Sequence, residues 1–165
     1  MQVHQLLAEH GGLEAFRDVL RDQSPDSEKT RQLIAQTLHV ITSVSGDCRD
    51  RLRDMEMFPL FLEQLRGSQS ADYQTAVFRL WVNVLAKNQT NQDAFRELGG
   101  MDLCFEFLSA KPEYPEEVRA VCATTLWAAT VNNRTSDSLT PPPSSTHTWP
   151  LPLPLLRGEC QSSVP

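Results

Sequence analysis

Cysteine, histidine and tryptophan are scarce in this 165-residue chain, and their spacing excludes several kinds of chemistry. Cys48, Cys104, Cys122 and Cys160 form no C-x-x-C pair, and His4, His10, His39 and His147 share no spacing that sets two ligands on one helical face. No metal site is expected; Cys48, Cys104 and Cys122 read as reduced thiols inside helices. No run of about 18 apolar residues occurs, so no membrane span is expected. The N-terminus carries no charged-then-apolar leader, which points to a cytoplasmic, or else nuclear, location. Phosphate-cradling runs such as G-x-G-x-x-G and the nucleophile run G-x-S-x-G are missing too. The expectation is a chain that is not an enzyme, with no cofactor and no small-molecule substrate. Lys and Arg number 15 against 21 Asp and Glu, and a net charge of -6 argues against gripping a phosphate backbone. Nucleic acid is not an expected partner.

Proline is unevenly spread. Residues 140–165 hold seven of the eleven prolines and only two charges, Arg157 and Glu159, so this tail is expected to be disordered and the folded domain to span 1–139. Within the tail, Pro150, Pro152 and Pro154 alternate and give no P-x-x-P docking pattern, which leaves disordered filler as the favoured reading over a polyproline ligand.

What the chain does contain is an internal repeat. Leu7 lies 45 residues before Leu52, which lies 43 before Phe95. Each has an acid two places on (Glu9, Asp54, Glu97), then a large apolar residue (Leu13, Phe58, Met101), then a leucine seven further (Leu20, Leu65, Leu108). A fourth copy starts at Asn132, 44 residues after Asn88, and breaks off, as though cut from a longer array. The units are about 1–45, 46–88 and 89–131, with a stub at 132–139. Forty-odd residues of helical patterning mark a solenoid whose units bury their apolar faces only against one another.

Each unit reads as a short, a medium and a long helix: 1–10, 13–21 and 28–44; 48–56, 58–65 and 72–87; 91–98, 101–109 and 115–131. Glycine pairs at Gly11-Gly12 and Gly99-Gly100 supply left-handed corners, which Glu56-Met57 replaces in the second unit. Ser27 and Asp72 are the expected caps of the first two long helices, and Pro115 sits where a helix start accepts proline. The buried stripe of the first long helix is read as Leu33, Ile34, Thr37, Leu38, Ile41 and Val44. In the second it is Ala76, Val77, Leu80, Trp81, Val84 and Leu85, which makes Trp81 core rather than a ligand platform.

The corner Glu97-Leu98-Gly99-Gly100-Met101 and the run Ala86-Lys87-Asn88 resemble the armadillo repeat family over residues 1–139. The resemblance implies an all-α, right-handed solenoid of three-helix repeats whose long helices form a groove for peptides or partner helices. In the family's nuclear-import members, a ladder of asparagines holds the peptide backbone and a tryptophan one turn earlier makes slots. Asn83 aligns with the ladder, but its counterparts are Val40 and Trp127, and Arg79 stands where the tryptophan would, so the import pattern does not carry over. The candidate groove residues are Gln36, Arg79, Asn83 and Trp127, with Asn83 also readable as bonded within its own repeat. The implied function is a protein-binding scaffold or adaptor. Two other readings stay open: a regulatory subunit of an enzyme such as a GTPase or chaperone system, and a truncated isoform without activity of its own.

Overall fold

A computed structural model of the chain describes residues 11–22, 27–109 and 114–131, and among these every regular element is helical, with no strand. The expected first short helix, the fourth copy and the proline-rich tail lie outside the described residues. The helices are α1 (Gly12–Arg21), α2 (Glu28–Val44), α3 (Gly46–Asp54), α4 (Met57–Gly67), α5 (Ala71–Leu85), α6 (Gln89–Glu97), α7 (Gly100–Ser109) and α8 (Glu116–Thr130).

Side-chain caps start three of them. The side chains of Ser45, Ser70 and Asn88 accept the backbone N–H of Cys48 (3.3 Å), Tyr73 (3.3 Å) and Asn91 (3.1 Å), capping α3, α5 and α6. Ser70 thus takes the role expected of Asp72, whose carboxylate instead lies in the first turn of α5, near the positive end of the helix. Ser27 does not cap α2 either: its hydroxyl donates to the Asp22 carbonyl at 3.2 Å. Pro115 stands directly before α8.

The corner before each medium helix is the same. Gly11, Glu56 and Gly99 precede α1, α4 and α7 with φ of 75°, 57° and 78°, all in the left-handed region. Two glycines take this conformation freely, whereas Glu56 is strained in it. The sequence repeat is therefore also a repeat of backbone conformation.

Packing arranges the helices in two rows. The long helices α2, α5 and α8 lie side by side in that order, and the medium helices α1, α4 and α7 line up behind them, each against the long helix of its own unit. The short helices α3 and α6 bridge adjacent units. Trp81 is the centre of the middle unit, edge-on to Phe58 at 4.6 Å and tilted against Phe95 at 4.7 Å, while Phe78 meets Phe107 edge-on at 5.0 Å. Burying each such side chain contributes roughly 1.5–3 kcal/mol. Ala76, Val77, Leu80, Val84 and Leu85 are buried with it, as their spacing implied.

Two side-chain amides on α6 tie the long helices at their ends. Asn91 donates to the Val84 carbonyl at 3.1 Å, and Gln92 reaches the carbonyls of Leu85 (3.0 Å), Ala128 (2.8 Å) and Val131 (3.1 Å). These oxygens belong to the last turns of α5 and α8 and the residue beyond, which no intrahelical N–H satisfies.

The inner stripe of α2 is narrower than its sequence pattern suggests. Ile34, Ala35, Leu38 and Ile41 are buried, but Leu33, Thr37 and Val44 face solvent, contrary to expectation. The reason is one-sided packing: α1, α3 and α5 meet α2, and among the described residues they leave Leu33, Thr37 and Val44 uncovered. Cys48, Cys104 and Cys122 are buried free thiols. A hydrogen bond with Cys104, then burial, pushes the Cys122 thiol far above the usual range.

Candidate functional site

The row of long helices carries all four candidate groove residues, one or two per helix, because they recur near the same turn of each unit. Gln36 is exposed on α2, Arg79 and Asn83 lie one turn apart on α5, and Trp127 is on α8 with 62% of its surface exposed. Gln36 and Arg79 face each other across an open cleft of about 310 Å³ between α2 and α5, lined also by Gln32, His39, Val40, Asp72, Thr75, Ala76 and Glu117. Asn83 and Trp127 are not part of this lining.

Arg79 and Asn83 connect the three helices. The Arg79 guanidinium reaches across to Glu117 at the start of α8, 3.0 Å from Oε1, and both side chains are more than half exposed. Such a pair is worth about 0–1 kcal/mol, so a competing carboxylate can displace Glu117 without large penalty. Asn83 is half-buried and turned the other way: its Nδ2 donates to the backbone carbonyl of His39 on α2 at 2.9 Å and lies 3.0 Å from His39 Nδ1. His39 Nδ1 is also 3.1 Å from the Arg79 carbonyl. A ring with its proton on Nε2 accepts from Asn83, whereas a ring protonated on Nδ1 donates to Arg79. Asn83 thus bonds to the preceding unit rather than within its own, and it is committed to joining α2 to α5.

His39, Asp72 and Glu117 also line this site; residue order marks Asp72 only as a helix cap and His39 only as lacking metal-ligand spacing. The position of His39 44 residues before Asn83, one repeat unit away, was the signal that would have brought the two together. Among the described residues no cluster of three or more His, Cys, Asp or Glu side chains could hold a metal ion, and no helix is long and apolar enough to cross a membrane.

Two wider clefts, each about 490 Å³, flank α4. One lies among Arg21, Arg53, Glu56, Pro59 and Leu98. The other, among Glu28, Arg31, Gln64 and Gln69, contains Tyr73, whose hydroxyl donates to Gln64 Oε1 while Gln64 Nε2 donates to the Leu20 carbonyl. Burial pushes the Tyr73 hydroxyl well above its ordinary range, Arg31 opposing and Glu28 reinforcing the shift. Gln64, in the wall of this second cleft, is already engaged in joining α1 to α4.

No family model, no curated protein and no solved structure matches the chain.

Proposed function

We propose that this chain is a non-enzymatic interaction module, an armadillo-type right-handed array that holds a partner protein or peptide on the face of α2, α5 and α8 and works as a scaffold or adaptor. The left-handed corner repeated at Gly11, Glu56 and Gly99, together with the side-by-side long helices, supports the armadillo-type reading. The binding reading rests on one observation: an open cleft in which Gln36 is exposed and Arg79 is held only by a solvent-screened pair with Glu117. On α8, outside that lining, Trp127 offers an exposed large ring at low entropic cost, the kind of anchor that dominates protein interfaces.

The ligand that fits is an extended or helical segment with a carboxylate for Arg79 and an apolar residue for Trp127. Its test is capture of partners from cell lysate on the full chain, compared with Arg79→Ala, Gln36→Ala and Trp127→Ala, each checked for retained helicity. Loss of the same captured proteins in Arg79→Ala and Trp127→Ala supports groove binding. Captured proteins that are unchanged in all three variants would place binding elsewhere and overturn the proposal.

A further inference from the structure

The two walls of the α2–α5 cleft differ in chemistry. On α5 the six residues between Asp72 and Arg79 are all buried, and only those two side chains are exposed over two turns of helix. They carry opposite charges, and seven residues of helix set them about 10.5 Å apart along the axis. Among the described residues no ion pair or hydrogen bond engages the Asp72 carboxylate, while Arg79 is held by the exposed Glu117 at 3.0 Å. On the facing wall Gln32 and Gln36 stand one turn apart on α2, and among the described residues no hydrogen bond engages either amide.

We propose, resting on the groove reading above, that this cleft takes an extended peptide segment with a basic and an acidic side chain three positions apart, the base on Asp72 and the acid on Arg79. Charge complementarity selects the pattern. A wholly acidic segment would meet Asp72 and Glu117, and a wholly basic one would meet Arg79, whereas one charge of each sign meets its opposite at both ends of the α5 wall.

Geometry selects the spacing. In a polyproline-II segment, with three residues per turn and a rise of about 3.1 Å, side chains three apart lie on one side and about 9.3 Å from each other, close to the separation of Asp72 and Arg79. In a β-strand the same two side chains would point to opposite faces, and a helix would need seven residues to cover the distance. A helix also satisfies its own backbone. The polyproline-II backbone has no internal hydrogen bonds, so its N–H and C=O groups can pair with the amides of Gln32 and Gln36, each of which both donates and accepts. Glu117 acts as a placeholder: the ligand's acid replaces it at Arg79, and because both side chains of that pair are more than half exposed, the exchange costs little.

The experiment is a nitrogen-15 NMR titration of the full chain with end-capped ten-residue peptides of alanine and proline that carry one lysine and one glutamate, in both orders, with one, two, three or six residues between them. The two-residue gap, in one of its orders, is expected to bind roughly three- to five-fold tighter than the other gaps and to shift the side-chain amide signals of Gln32 and Gln36. Asp72→Asn and Arg79→Gln should each remove that preference, and Glu117→Gln, which frees Arg79, should tighten binding by a similar factor. Unchanged backbone signals away from the cleft show each variant intact. Equal binding at every gap, lost in Arg79→Gln, leaves the groove reading standing and overturns this proposal. So does a preference that survives Asp72→Asn, or tightest binding at the six-residue gap, which marks a helical ligand. No shift of cleft signals with any peptide overturns both readings.

Discussion

The side-chain amide of Asn83 on α5 donates to the backbone carbonyl of His39 on α2 across 2.9 Å, joining two neighbouring repeat units through one side chain. A residue that aligns with a peptide-holding position is thereby occupied within the protein. Asn83→Ala should lower stability by about 1 kcal/mol, the usual net worth of a hydrogen bond. Asn83→Asp should lower it further, because a carboxylate would face a carbonyl oxygen and offer no donor. Urea denaturation of the three proteins checks the order; an aspartate variant as stable as the wild type would remove this contact from the account of the fold.

Glu56 stands in the corner where the flanking units have glycine, at φ 57°. Its side chain strains that conformation, and Glu56→Gly relieves it. The expected result is a gain of about 1 kcal/mol, partly offset by the greater freedom of glycine in the unfolded chain. Gly99→Ala should do the reverse. Thermal melting of both variants reads the signs.

Gly100 is fixed by proximity rather than by its backbone angles. A Cβ there would fall 2.5 Å from the ring of Phe95, which is itself packed against Trp81. Gly100→Ala should therefore destabilise by about 1–3 kcal/mol through overpacking. Combining it with Phe95→Leu, which removes the ring, should recover part of the loss, a coupling that a double-mutant cycle measures.

Tyr73 makes stability fall in alkali. Its folded pKa is raised above the model-compound value of 10.0, chiefly by burial, so the neutral hydroxyl is favoured in the native state. Below pH 10 both states hold the proton and nothing is lost. As pH rises above 10 the unfolded chain ionises first, and stability should decline by up to about 1.4 kcal/mol per pH unit for this one group. In Tyr73→Phe that part of the decline should vanish, although the bond to Gln64 is lost at every pH. Denaturation at pH 8 and at pH 11 separates the two effects.

The thiols of Cys48, Cys104 and Cys122 are buried, and Cys122 is further held protonated by its hydrogen bond with Cys104. Alkylation needs an exposed thiolate. In the native protein at neutral pH, iodoacetamide should leave all three unmodified, and peptide mapping should find them modified once urea unfolds the chain.

Much of the architecture could be read from residue order. The repeat offsets locate the corners, and the structure gives Gly11, Glu56 and Gly99 one shared left-handed conformation, because a glycine, or an acid forced into its place, records a local backbone need. Trp81 was legible as core since its apolar neighbours recur at helical spacing. The cap of α5 was less so: Ser70 and Asp72 are both competent acceptors two residues apart, and only the path of the chain into the helix puts the Ser70 oxygen at the Tyr73 N–H. Of the candidate site, the sequence indicated which helices would carry it and that Trp127 would be exposed, but not the roles of His39 and Glu117.

Residue order alone determined that the described chain would be helical and which side of α5 would be buried, since periodicity and turn chemistry act over a few neighbouring residues. The tertiary structure decided that Leu33, Thr37 and Val44 stay in water, that Asn83 is taken up by His39, and that Arg79 meets Glu117. Those outcomes depend on which helix lies beside which, some forty residues away in the chain. A helix with apolar residues on two sides does not itself specify which side a neighbour will cover.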